Sequence, residues 1–271
     1  MDTIATAPDE TGHLGPDLAA TTWGRGPRAV LVHGGGAGGA AAFARQQPLA
    51  ERFRLVLPDR PGAGRTPHAG PQDAVRDGHL VAGLLADGAH LVGHSYGAVV
   101  AVVAATLRPD RVRSLVLVEP PVLPLAADDP EVMAYWDELA SAVADPDPTL
   151  RVRRFARAAG LGMPVPDVLP PPLQALAEDL RTMRHPWDVP LDLAALRRLP
   201  VPKVVVSGAH RDAFERLCDR LAGLIAARRA VLPGAGHAVQ DTGEPFNTLL
   251  AQTWTRGDAA DAEVSERAAA T

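Results

Sequence analysis

Residues 89–107 read AHLVGHSYGAVVAVVAATL, and the way this stretch folds decides the architecture. A short apolar run, AHLV, and a helix-like run of small and branched residues, AVVAVVAATL, are separated only by GHSYG, residues 93–97. A strand that becomes a helix through so tight a turn forces unusual backbone angles on its central residue, and flanking glycines leave room for the close packing. Ser95 Oγ is therefore expected to stand above the C-terminal edge of a sheet. A serine hydroxyl is a weak nucleophile, so it needs a base, and the base needs an orienting acid.

The flanking sequence supplies the sheet. RAVLV (28–32), FRLVLP (53–58), AHLVGH (89–94), VRSLVLVE (112–119) and PKVVVSG (202–208) are near-continuous apolar runs, as expected of strands covered on both faces. RAVLP (229–233) is a weaker sixth. Helical patterns lie between them, near 40–52, 72–86, 96–108, 213–227 and 244–255. Such alternation predicts an α/β fold with a mostly parallel sheet and helices on both sides. Residues 121–200 break the rhythm: helical pieces and proline-rich turns, with no strand-like run. An insertion of about eighty residues is too long for an ordinary connection and is expected to form a helical layer of its own.

The stretch LVHGGGAGG, residues 31–39, admits two readings. Gly34, Gly36 and Gly39 have the G-x-G-x-x-G spacing of dinucleotide-binding folds, follow a strand-like run, and are followed by Asp59 after a second one. The same loop could instead present backbone amides to an oxyanion. His237 is the candidate base, because it sits in the glycine-rich loop LPGAGHAVQDTGEPF directly after the last strand-like run, where it can reach back over the serine. His94 adjoins the nucleophile and is expected to point into the packing. His13, His68, His79, His90 and His185 are placed on surface turns.

Composition bounds the rest. The 271 residues are 46% hydrophobic, enough for one sizeable domain, and the net charge is −5. The basic residues are almost all arginine, scattered or paired with acids, so no nucleic-acid-binding face is expected. Cys218 is the single cysteine and cannot form an internal disulfide. Residues 1–12 lack the basic start and apolar core of a secretory signal, and no run approaches the ~20 apolar residues of a membrane span, so a cytoplasmic protein without membrane contact is expected. No H-x-x-x-H or clustered Cys/His spacing suggests a metal, and none is expected.

The motifs HGGG (33–36), DRPGAGRT (59–66), GHSYG (93–97) and GAGH (234–237), in that order, make the sequence similar to the α/β-hydrolase fold family over roughly residues 20–255. The resemblance resolves the glycine loop in favour of the oxyanion: it implies donors at the amides of Gly35 and Tyr96. Asp59 is then expected only to hold the DRPG loop, and no cofactor is expected. For the triad acid, many relatives would nominate Asp212, yet it is displaced by one residue from the usual spacing after Gly208. A subset carries the acid after the preceding strand, where SLVLVE ends in Glu119, which is the preferred candidate. That placement also resembles some lactone-opening relatives.

The resemblance further implies a hydrolase core of residues 13–120 and 201–256, a helical cap of residues 121–200, and flexible tails at 1–12 and 257–271. Tyr135, Trp136 and Trp187 of the cap, with Phe43 beyond the glycine loop, are the candidate substrate-binding residues. Met133, Phe155 and Met183 complete the cap's large apolar groups. The implied activity is serine hydrolysis of an ester, lactone or thioester of an apolar or medium-sized small molecule, by a monomer or homodimer. The same fold also hosts cofactor-free cyclases or lyases, and receptors or regulators with a slow residual triad.

Overall fold

A computed structural model describes residues 10–13, 18–36 and 38–269. Eight strands form one sheet: β1 Glu10–His13, β2 Ala19–Trp23, β3 Arg28–Val32, β4 Arg54–Pro58, β5 Ala89–His94, β6 Val112–Val118, β7 Lys203–Ser207 and β8 Arg228–Val231. Their order is β1-β2-β4-β3-β5-β6-β7-β8. β1 and β2 pair antiparallel, as do β2 and β4, and β3 to β8 are parallel. Each of the six strand-like runs is a strand. β2 is an addition, because AATTW carries no apolar run to announce it.

The helices are α1 Gly39–Ala42, α2 Ala74–Leu84, α3 Tyr96–Leu107, α4 Pro130–Val143, α5 Pro148–Ala158, α6 Pro171–Thr182, α7 Leu193–Arg198, α8 Asp212–Ile225 and α9 Glu244–Ala269. Alternation along the strands sorts side chains between the two faces of the sheet. Val30, Val32, Leu115 and Leu117 join one core with Val99, Val103, Leu221 and Ile225 of α3 and α8. Ala29, Leu31, Val116 and Val118 join the other, with Phe43, Phe246 and Trp254. Burying each such branched or aromatic side chain contributes roughly 1.5–3 kcal/mol. That covering on both faces explains why β5 is buried throughout.

Residues 121–200 carry α4, α5, α6 and α7 and no strand. Aspartates start α4, α5 and α7: Asp129, Asp147 and Asp192 each accept amide hydrogen bonds from the first turn, which satisfies donors that the helix itself leaves free.

The expected tail from residue 257 is corrected: α9 runs on to Ala269. Asp258 lies 3.2 Å from His90 Nε2, and Asp261 lies 3.2 Å from Arg113 Nε, so the helix is tied to β5 and β6 by partners distant in sequence. Residues 10–13, also expected to be tail or its border, pair with β2. The rest of the expected N-terminal tail, residues 1–9, lies outside the described residues. Among the described residues, no helix is long and apolar enough to cross a membrane.

Candidate functional site

Ser95 sits between β5 and α3 at φ 53°, ψ −124°, a left-handed conformation that a non-glycine residue adopts only at a cost. The turn is held from outside: Ser95 N–H donates to Val118 O at 2.8 Å. Gly97 makes the turn sterically possible, because a Cβ there would stand 2.3 Å from Val32 O and 2.4 Å from His33 O. The motif's spacing is thus explained by the approach of α3 to the end of β3.

Glu119 ends β6 one strand further along, at φ 49°, with its N–H donating to Val206 O at 2.9 Å. Its carboxylate is fully buried. Oε1 accepts from Gly208 N–H at 2.6 Å, and Oε2 faces His237 Nδ1 at 3.4 Å, the long end of hydrogen bonding. Burial pushes the Glu119 carboxyl up, but hydrogen bonds and charge from His210 and His237 outweigh it and hold the pKa down to about 2. The loop bearing His237 is seated on the end of β7: a Cβ on Gly208 would meet Gly236 O at 1.9 Å, so only glycine permits the approach. Ser95 and His237 line the same cavity. Asp212 instead opens α8, exposed to solvent.

The glycine loop is anchored beneath the site. His33 is buried; Nδ1 donates to Gly34 O at 2.8 Å while Nε2 accepts from Arg60 N–H at 3.0 Å, which sets the tautomer. Burial, with Arg60 nearby, lowers the His33 pKa to about 3, so it stays neutral. The Arg60 guanidinium donates to His33 O at 3.0 Å and Gly34 O at 2.7 Å, pairs with Asp77 at 3.1 Å, and lies 4.6 Å from the centre of the Tyr96 ring. Asp59 holds its own loop, as expected: one oxygen accepts from Gly39 N–H at 2.8 Å, the other from Arg65 N–H and Nε–H, both at 3.1 Å. Gly35 and Tyr96 both line the cavity beside Ser95.

The cavity is partly open to solvent, and its far wall comes from the helical insertion of residues 121–200: Tyr135, Leu139, Phe155, Leu180, Met183 and Trp187. Two substrate-binding expectations are corrected. Phe43 is fully buried on the opposite face of the sheet, drawn there by Phe246 and Trp254. Trp136, next to Tyr135 on α4, is not among the residues that line the cavity and packs, half-buried, against the apolar cluster that joins α4 to α8.

The histidines are also re-sorted. His90 is buried in β5, stacked on Trp254 at 5.6 Å, and His185 lines the cavity, stacked on Trp187 at 4.6 Å. His94 points into the packing as expected, its Nε2 donating to His237 O at 3.0 Å, with burial and His237 lowering its pKa to about 3. His210, which sequence reasoning passed over, brings Nδ1 to 3.5 Å from Glu119 Oε1. Glu119, His210 and His237 each offer a donor atom within 4.8 Å of the others. Arg60 had a signal in the DRPG motif; His210 had none.

A family model described as "Alpha/beta hydrolase family" matches residues 29–249. The chain belongs to that family. Among curated relatives of this alpha/beta hydrolase, a pimeloyl-[acyl-carrier protein] methyl ester esterase of Aeromonas hydrophila is 30% identical over 170 residues, covering 60% of this chain and 61% of the esterase. The chain thus spans about three fifths of that relative's length. The polyketide synthase ThaQ of Burkholderia thailandensis is 34% identical over 253 residues, 84% of this chain but 12% of the synthase. The solved thioesterase domain from the curacin biosynthetic pathway superposes with a TM-score of 0.59 at 23% identity, covering 90% of this chain and 98% of that domain, a likeness of fold.

Proposed function

We propose that the protein is a serine hydrolase that cleaves an ester, lactone or thioester of an apolar or medium-sized acyl group through an acyl-enzyme. Ser95 Oγ attacks the carbonyl carbon while His237 Nε2 takes its proton, and Glu119 holds the proton on Nδ1 and stabilises the imidazolium that forms. The negative charge on the carbonyl oxygen is met by the amides of Gly35 and Tyr96. Collapse of the tetrahedral intermediate expels the alcohol or thiol, which receives the proton from His237. Water, deprotonated by the same imidazole, then releases the acid and restores Ser95.

The observation that carries this reading is the shared cavity of Ser95 and His237, with the buried, ionised Glu119 carboxylate behind His237 Nδ1. The apolar cap wall supports an apolar acyl group as the part held during the reaction. Two relatives point the same way: one is named for a methyl ester on an acyl carrier, the other for polyketide synthesis.

The test combines labelling by a serine-directed phosphonate with turnover of a short p-nitrophenyl ester, on the wild type and on Ser95→Ala. Labelling and rapid turnover, both lost in the variant, support the hydrolase. Labelling without turnover would favour a cyclase or a ligand receptor. Turnover surviving in Ser95→Ala would sink the serine mechanism.

A further inference from the structure

Two imidazoles, not one, meet the carboxylate of Glu119. His210 lies in the loop between β7 and α8, with its side chain 13% exposed. Nδ1 stands 3.5 Å from Oε1, the oxygen that accepts from Gly208 N–H, and among the described residues neither ring nitrogen makes a hydrogen bond. The ring is enclosed by Phe214 at 5.1 Å and His237 at 5.5 Å between centres. On its cap side lies the backbone of Gly160, just past α5, so close that a side chain there would stand 2.9 Å from Cδ2.

The next residue fastens the loop to the cap as well. Arg211 donates to Ala158 O at 2.8 Å, pairs with Glu138 on α4 and lies 4.4 Å from the centre of the Tyr135 ring. A buried polar nitrogen with no partner is costly, and the Glu119 oxygen is the acceptor within reach.

We propose that His210 is a positioning residue for the triad acid: it holds Oε1 of Glu119 from the cap side, opposite Gly208, so that Oε2 stays on His237. This rests on the assignment of Ser95, His237 and Glu119 given above. The carboxylate would otherwise be held on one side only, by the Gly208 amide, and could turn about that single bond away from His237. Because the ring is wedged between Phe214 and the cap backbone, the seating of the cap fixes the ring, and the ring fixes the acid.

The charged or titratable groups around His210 are Glu119 at the end of β6, His237 after β8, Arg211 with its partner Glu138 on α4, and Tyr135 on the same helix.

The experiment measures kcat and KM for one p-nitrophenyl ester across pH in wild type, His210→Phe, which keeps the packing, and His210→Asn, which keeps a donor. The expected result for His210→Phe is kcat lower by about ten- to hundredfold, the cost of a misplaced catalytic group, with KM little changed. His210→Asn should recover part of that loss. If His210→Phe does not fold by circular dichroism, His210→Ala takes its place with the same expectations.

An unchanged kcat, a loss carried by KM instead of kcat, or no recovery in His210→Asn overturns the proposal. So does wild-type activity that EDTA removes and Zn²⁺ restores, since the two imidazoles would then serve a cation. Ser95→Ala in the same assay separates the two readings: if it is inactive while His210→Phe behaves as wild type, only the role of His210 fails.

Discussion

Replacing Glu119 by glutamine separates the two candidate acids, and the structure says which way the new amide must turn. The Glu119 carboxylate accepts on both sides, from Gly208 N–H at 2.6 Å and opposite His237 Nδ1 at 3.4 Å. A glutamine offers one acceptor and one donor. If its NH₂ turned toward Gly208, two donors would confront each other in a buried site, and the backbone amide cannot change role; such a mismatch costs about 1–3 kcal/mol. The oxygen therefore stays on Gly208 and the NH₂ faces His237 Nδ1. That nitrogen must then give up its proton, the proton moves to Nε2, and the base can no longer accept from Ser95.

Glu119→Gln is accordingly expected to lower kcat by roughly 10³ to 10⁴, as for triad acids elsewhere, or about 4–5.5 kcal/mol of transition-state stabilisation. Asp212→Asn removes an exposed charge from the first turn of α8, worth about 0.3–1 kcal/mol of stability through the helix dipole, and leaves kcat nearly unchanged. Both variants would be assayed on one ester after circular dichroism shows them folded. A severe loss in Asp212→Asn beside a mild one in Glu119→Gln would refute the reasoning and transfer the role, and the expected resemblance to lactone-opening enzymes would go with it.

Three further outcomes are expected. His237→Ala should cost nearly as much activity as Ser95→Ala, with the double variant scarcely worse, because members of one catalytic unit are strongly non-additive; losses that simply multiply would show independent action. Equilibrium titration with NAD, NADP and FAD should show no saturable micromolar binding at residues 33–39, since the proposed reading assigns the loop's amides to the oxyanion. Acid should destabilise the fold early. His33 and His94, each held near pKa 3 by burial, refuse protons that the unfolded chain accepts below about 6.5. Stability should therefore fall by about 2.5 kcal/mol between pH 7.5 and 5.5 in urea titrations, and equal stability at the two pH values would contradict the buried, neutral state of these rings.

The parallel strands were legible because a strand covered on both faces is apolar at most positions, and RAVLV, AHLVGH and SLVLV are. β2 was not, since AATTW lies toward the antiparallel edge and owes its burial to neighbours. The end of α9 was hidden for a related reason: its polar residues read as solvated until Asp258 and Asp261 meet His90 and Arg113 across the fold. Ser95 and His237 announced themselves through local turns. Phe43 and Trp136 were misplaced because an aromatic side chain near a site in sequence says nothing about the face of the element it leaves. His210 could not be found from spacing, since only the fold brings it to Glu119.

The insertion leaves the sheet after β6 and returns at the start of β7, two parallel strands that pair directly, Val118 beside Val206. The pairing holds these strands together whatever lies between them, so exchanging the insertion for a shorter or longer one leaves the sheet in place. Glu119 follows β6 and Gly208 follows β7, and the 2.6 Å hydrogen bond between them joins the C-terminal ends of the two strands. That bond is made by residues outside the insertion. On the proposed reading, substrate preference is rewritten by replacing the insertion while the Glu119–Gly208 bond is carried over intact.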